Sequence, residues 1–470
     1  MSTNFKRWAA LVVVCLGQLM IMVDATIVNV ALPYMQRDLG LSPTNLTWVV
    51  NAYLISYGGF LLVAGRLGDL VGRRKVFLAG VFLFTVASVG SGFATGADHL
   101  IIGRFLQGLG GSLSAGVILA IIVTEFQKPA ERAQAMSVFS LVIAGGGSLG
   151  LLAGGFLTQW ANWHWIFFIN VPIGVVTIAL GFWLIREHNG LGFDHGIDIA
   201  GAALITTSLM LGVYGIVTAS GYGWVSVHTA EFTGLALVLL AAFIALESRL
   251  TNPIMPLRVL RIRSLTAATA ARALLLTGLL TNFFVGALFL QGGHGFSAFQ
   301  TGLAFLPMTL TIGVMSTGIS AALMSRIGAR NLLMLGLAIV VTAIALQSVF
   351  GPQTEYAPTL LVAYMLLGAG AGMSFLPLLT IAMSDVPLAD AGLGSGFSNA
   401  VMQVGSALGL ASITAISVSQ AQGAAAFQLA YVLAAGAIAA ALIVVFVLLR
   451  PPSAVSVPTT AEDRTASEAA

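Results

Sequence analysis

Apolar runs of eighteen or more residues recur from one end of this chain to the other, and that pattern leaves little freedom in how it folds. A run of that length with almost no charge spans the hydrocarbon core of a bilayer as a helix. Fourteen transmembrane helices are predicted, at 8–31, 47–64, 76–95, 100–123, 135–158, 165–185, 199–219, 230–247, 265–290, 301–324, 331–350, 358–382, 394–417 and 426–449. Only 8% of the residues are charged and 58% are hydrophobic, where soluble domains carry about 25% charge. Too little polar surface remains to cover a soluble globule. The expected class is an all-α integral membrane protein.

The basic residues orient it. With both termini placed in the cytoplasm, 17 of the 20 Lys and Arg fall on the cytoplasmic side, Arg37 alone falls outside, and Arg104 and Arg272 lie within helices. That asymmetry is what the positive-inside rule requires, and all seven Trp fall near helix ends, where aromatic belts form. The net charge of +3 therefore reports topology and not affinity for nucleic acid. Cys15 is the one cysteine and the six His show no metal-ligand spacing, so neither an intramolecular disulfide nor a metal site is expected, and no cofactor is implied. Helix 1 is too long for a cleavable signal and is expected to stay as an anchor. Arg outnumbers Lys by 17 to 3, which suggests a GC-rich bacterium and placement in its cytoplasmic (inner) membrane. The tail 451–470 reads as disordered and cytoplasmic.

Sliding the chain against itself by 260 residues aligns its motifs. Gly65-Arg66-Leu67-Gly68-Asp69 meets Ser325-Arg326-Ile327-Gly328-Ala329, and Gly108 and Gly110 fall over Gly368 and Gly370. At an offset of 258, Phe139-Ser140 and Gly147-Ser148 meet Phe397-Ser398 and Gly405-Ser406. Two six-helix halves are implied, 1–190 and 255–450, with a two-helix insert over 191–254. Parallel six-helix repeats that rock about a central site are a recurring transporter plan. The same alignment sets Asp24 against Phe284, Asp69 against Ala329, Arg104 against Tyr364 and Gln107 against Leu367. Proton chemistry is thus expected in the first half.

Asp24 sits within the apolar stretch LVVVCLGQLMIMVDATIVNVALP. A carboxylate at that depth costs about 2.5–3.5 kcal/mol on insertion scales and marks function or a partner. Two readings stay open: a proton carrier in a partly wet cavity, or a permanent ion pair with Arg104 that joins helices 1 and 4. Gln107 and Gly108, one turn from Arg104, point to a polar cavity wall; Arg272 is expected to snorkel to the inner surface. Gly146, Gly150 and Gly154 recur every four residues on one face of helix 5, suited to static packing or to a sliding contact between the halves. Candidate substrate-facing groups are Asn51, Tyr53, Tyr57, Asn282, Asn399 and Gln403, with Phe283, Phe284 and Met308 as apolar contacts. Arg258, Arg261 and Arg263 lie beside the inner leaflet as lipid anchors.

Three motifs carry a family resemblance. GRLGDLVGRRKV (65–76) is similar to the loop between helices 2 and 3 of the major facilitator superfamily, VDATIVNVALP (23–33) to helix 1 of its fourteen-helix drug:proton antiporter branch, and RFLQGLGG (104–111) to its helix 4 motif. The resemblance spans about 5–450. It implies the major facilitator fold, with Gly65, Asp69 and Arg73 in a charge network that latches the outward-facing state, and Arg104 in proton transfer. Two positions depart from the pattern. Leu151 stands where the antiporter motif of helix 5 has Pro, which removes the kink expected there. His164, in Trp163-His164-Trp165, stands where the family has Arg.

The expected function is a proton-coupled antiporter, working as a monomer, that exports small amphiphilic compounds such as drugs and antibiotics by alternating access. A specific exporter of an endogenous metabolite or lipid is the alternative. A membrane enzyme would need a clustered acid/base, nucleophile or metal set, and the chain offers a lone Asp and scattered His.

Overall fold

The computed structural model describes residues 3–187, 190, 192, 198–250, 257–351, 354–387, 391–421 and 423–449. Among these the regular elements are all helical: α1 (Thr3–Asp38), α2 (Pro43–Val71), α3 (Arg73–Gly92), α4 (Ala97–Glu125), α5 (Pro129–Trp160), α6 (Trp165–Phe168), α7 (Asn170–Leu184), α8 (Ile199–Tyr222), α9 (Val227–Glu247), α10 (Arg263–Gly293), α11 (Ala298–Val314), α12 (Ser320–Ile327), α13 (Ala329–Ser348), α14 (Leu361–Ser384), α15 (Ala391–Gln420) and α16 (Ala424–Leu448). Backbone groups in hydrocarbon must find partners within the protein, which is why apolar runs of this length settle as helices. Eleven helices are long and apolar enough to cross a membrane, and α2, bent by 48° between Leu61 and Val63, makes a twelfth. The other two expected spans are also helical: α5, and α11 continued through a π-helical turn, Met315–Ile319, into α12. Large apolar side chains such as Phe82, Trp183, Ile443 and Phe446 point outward, as a bilayer-facing surface requires.

Helices α1–α7 form one bundle and α10–α16 a second. In the first, α1 packs on α5 and α7, and α4 on α2 and α3; in the second, α10 packs on α15 and α16, and α14 on α11 and α13. These pairings correspond at an offset near 260. Glycines sit where the helices cross. A Cβ at Gly110 would lie 2.8 Å from the Gly80 carbonyl, and one at Gly370 would lie 2.6 Å from the Gly336 carbonyl. Small residues at such crossings let backbones approach.

One alignment drawn from the sequence needs correcting. Gly72 ends α2 and begins α3 at φ +114°, and Gly328 does the same between α12 and α13 at φ +82°. Both turns use a conformation that favours glycine. Gly328 therefore corresponds to Gly72 and not to Gly68, an offset of 256, and Gly80 over Gly336 keeps it. Asp69 then stands over Ser325, not Ala329, and Arg73 over Ala329. The second bundle still lacks both charges.

The insert helices α8 and α9 pack on each other, and α8 lies against both α2 and α15. It thus covers one of the two seams between the bundles. The other seam is α5 on α11, with α1 against α10 and α11 beside it. The expected boundaries near 191 and 254 and the tail 451–470 lie outside the described residues.

Candidate functional site

Asp24 lies inside the first bundle with no exposed surface. Its Oδ2 accepts from Nη1 of Arg104 at 2.5 Å. Its Oδ1 accepts from Nε2 of Gln107 at 2.9 Å and from Nδ2 of Asn170 at 3.0 Å. Both amides also donate to Ser88 Oγ at 2.9 Å. Arg104 donates through Nε to the Val49 carbonyl at 3.1 Å and through Nη1 to Gln107 Oε1 at 3.0 Å, and lies 4.4 Å from the centre of the Tyr53 ring. Five helices, α1, α2, α3, α4 and α7, meet in this network. Arg104 and Gln107, three residues apart, share a face of α4. Gly108 on the next turn lets α2 close on that face.

Of the two arrangements open for Asp24, this conformation holds the ion pair with Arg104. In this conformation the carboxylate is the buried half of an ion pair, and Arg104, only 2% exposed, belongs to the same polar core. Sequence reasoning missed Asn170 and Ser88. The signal for Asn170 was a lone amide opening an apolar run, IFFINVP; Ser88 carried none. In the second bundle the position of Arg104 holds Tyr364, packed edge-on to Phe305 at 5.4 Å. The mirror site is aromatic where the first is charged.

The other candidates fall into two groups. Tyr53, Tyr57, Asn51, Asn282, Phe284 and Met308 are buried among the helices. Tyr53 stacks on Tyr57 at 5.8 Å, and Asn282 Nδ2 reaches Met308 Sδ at 3.7 Å. Several of their polar atoms have no partner among the described residues: both amide atoms of Asn51, Tyr53 Oη and Asn282 Oδ1; the same holds for Tyr364 Oη. Unpaired buried polar atoms are uncommon in folded proteins. Asn399 and Gln403, by contrast, are half-exposed on α15. Arg272 does not snorkel as expected; its Nη1 donates to Asn399 Oδ1 at 3.1 Å and to Ser398 Oγ at 3.4 Å.

Asp69 and Arg73 pair across the α2–α3 turn, Nη2 to Oδ1 at 3.0 Å and Nε to Oδ1 at 3.2 Å. Nη1 of Arg73 continues to Thr124 Oγ1 at 2.5 Å and the Ala120 carbonyl at 3.2 Å, the end of α4. Gly65 lies against the Gly116 carbonyl of α4. The network thus ties α2, α3 and α4 within one bundle.

The Gly146, Gly150 and Gly154 stripe faces α1, not the second bundle: Cβ atoms there would lie 2.8 Å from Met22 Cβ and 2.7 Å from the Val23 and Ile27 carbonyls. The contact of α5 with the second bundle is one residue on. Gly155 meets Ala298 and Phe299 of α11, and Gly302 meets the Leu151 carbonyl. With Leu at 151, α5 runs unbroken from Pro129 to Trp160. At this end, away from Lys6, Arg7 and Arg73, three hydrogen bonds join the bundles. Gln291 Nε2 donates to the Val30 carbonyl at 2.8 Å, and the Ala298 and Phe299 amides donate to Tyr34 Oη and Gln159 Oε1 at 3.3 Å. Beside them His164 stacks on Trp163, whose Nε1 donates to Asp38 at 2.8 Å.

Residues 14–410 match the Major Facilitator Superfamily. The chain belongs to that family. This facilitator is 36% identical over 88% of its length to 82% of a puromycin resistance protein of Streptomyces alboniger. It is 31% identical over 86% of its length to 75% of a tetracenomycin C resistance and export protein of Streptomyces glaucescens. Its fold is similar to that of an auto-inhibited peptide transporter of the POT family, with a TM-score of 0.70 at 18% identity over 93% of this chain and 96% of that one. It is a multi-pass membrane transporter with a small-molecule substrate, and not an enzyme.

Proposed function

We propose that this facilitator is a proton-coupled antiporter that exports small amphiphilic compounds, drugs and antibiotics among them, across the bacterial cytoplasmic membrane. The observation that carries the proton half is the Asp24–Arg104 pair, one carboxylate buried at mid-membrane against one guanidinium. Protonating Asp24 removes the Coulomb attraction that holds Arg104, so proton uptake and helix movement are tied at one atom pair. The resistance and export functions of the relatives support the substrate class.

The bundles, 1–190 and 255–450, rock about the centre as rigid bodies, with the 191–254 insert riding on the α2–α15 seam. Its basic end faces the cytoplasm by the positive-inside rule, with both termini there. The end sealed by Tyr34, Gln159 and Gln291 is then external, and the structure is the stage that loads substrate from inside. Release requires that seal to part and the Asp69–Arg73 network to bridge the bundles at the opposite end. Asn399 and Gln403 contact substrate in the loading stage; the buried Asn51, Tyr53, Tyr57 and Asn282 groups, with Phe284 and Met308, become available as the bundles move. A monomer contains every part of this cycle.

One proton crossing at ~100 mV supplies ~2.3 kcal/mol. With ~1.4 kcal/mol per tenfold gradient, a neutral solute is concentrated somewhat under a hundredfold.

Expression in a bacterial host lacking its own efflux pumps tests the reading. Cells that carry the facilitator are expected to accumulate less of several lipophilic dyes and antibiotics, and to lose that difference when an uncoupler collapses the proton gradient. Equal accumulation with and without the protein across the panel would contradict it.

A further inference from the structure

We propose that Arg272 recognises an anionic group on the exported compound: a carboxylate, sulfonate or phosphate. The inference rests on the exporter reading and gives its substrate a charge.

Arg272 stands nine residues past the start of α10, roughly 13 Å along the helix by the helical rise. It does not face lipid. Across its apolar window α10 is 72% buried, against 17% for the peripheral α9. The guanidinium uses only Nη1, on Asn399 and Ser398, both neutral. Its Nε and Nη2 have no partner among the described residues, and the side chain is largely but not fully buried. Asn399, which accepts from Nη1, and Gln403 lie one turn apart on α15, both partly exposed. Gln403 packs by its Cβ near Gly58 of α2, which places this stretch of α15 beside the meeting line of the two bundles.

Among the described residues no carboxylate pairs with Arg272. The second bundle carries Glu355, Asp385 and Asp390, and all three precede or follow its helices in the chain. Asp24 is committed to Arg104. A guanidinium at this depth is costly unless it lines a water-filled path or meets a counter-charge. Its unpaired Nε–Nη2 edge matches the two oxygens of a carboxylate or phosphate in a bidentate arrangement. Arg104 is the internal contrast, since its carboxylate is built into the protein. For Arg272 the counter-charge is left for the substrate to bring.

Equilibrium binding to the purified full-length protein tests this without requiring transport. The probes are a naphthyl-alkanoic acid and its carboxamide, matched in size and apolar surface. Wild type is expected to bind the carboxylate about tenfold more tightly than the amide, the scale of one charge-assisted fork. Arg272→Gln should level the two and Arg272→Lys should keep part of the preference. Asn399→Asp sets a carboxylate against Nη1 and should abolish the preference with the arginine still in place, so the test survives if Arg272→Gln does not fold. Equal binding of the two probes by wild type, or a preference retained in Asn399→Asp, would overturn the proposal. A wild type with the preference that exports nothing would sink the exporter reading and leave the anion site standing. Export of neutral compounds without any preference would do the reverse.

Discussion

Asp24 and Arg104, eighty residues apart, form an ion pair in which the side chains are 0% and 2% exposed. Charges taken that far from water persist only when each lone pair and proton is matched. Gln107, Asn170, Ser88 and the Val49 carbonyl supply much of the matching here. The pair is therefore a structural tie between α1 and α4 and, in the function proposed above, the tie that a proton loosens.

Asp24→Asn keeps the shape and leaves Arg104 buried without its counter-charge. Breaking a buried pair from one side costs about 3–5 kcal/mol, whereas removing both charges is close to neutral. Chemical unfolding of the purified protein should place Asp24→Asn below wild type, with Asp24→Asn/Arg104→Gln recovering most of the loss. Equal stability of single and double variants would mean that the charges are not coupled in the folded protein.

The external seal predicts a reversible trap. Cys15 is the sole native cysteine, so a Cys15→Ser background carries no competing thiol. Cysteines at Gln159 and Phe299, joined in the structure by a backbone-to-side-chain hydrogen bond, should oxidise to a disulfide that stops export and is relieved by reductant. Undiminished export with the bond formed would show that α5 and α11 do not separate there.

Asp69 and Arg73 are 42% and 31% exposed, so their pair contributes little to stability, below ~1 kcal/mol. Arg73→Ala should leave the unfolding midpoint nearly unchanged and lower export at least tenfold, because the α2–α3 turn loses its tie to Thr124 and Ala120. Probe binding should be retained. An Arg73→Ala protein that transports normally would remove the network from the mechanism.

Gly72→Ala should be harmful in a different way. At φ +114°, an added Cβ strains the turn by about 1–2 kcal/mol. A lower unfolding midpoint is expected, and Gly68→Ala should also destabilise, for another reason: its Cβ would run into Val117 of α4. Normal stability of Gly72→Ala would place the turn glycine elsewhere.

The fourteen apolar runs made the helices legible, and the Gly108/Gly368 and Gly110/Gly370 matches made the repeat legible, because close helix crossings tolerate only small residues in either bundle. Asp24 and Arg104 were legible for the same reason that they are costly: charges in hydrocarbon stand out. The turn at Gly72 was misread because a backbone dihedral leaves no mark when glycines at 68 and 72 both fit the spacing. The bend of α2 after Leu61 has no proline to announce it. Tyr34, Gln159 and Gln291 escaped notice because they are ordinary polar residues near helix ends, given a role only by what lies across the seam. Arg272 was read as snorkelling because sequence depth says how far a side chain must reach, not which helix is waiting with Asn399.

The central claim is that the proton route runs through Asp24. The most direct measurement is uptake in proteoliposomes with an imposed pH gradient, comparing wild type with Asp24→Asn reconstituted to equal amounts of folded protein. Wild type should concentrate a lipophilic probe against its gradient, while Asp24→Asn only equilibrates it. Equal concentration by both would contradict the account and leave Asp24 as a purely structural partner of Arg104.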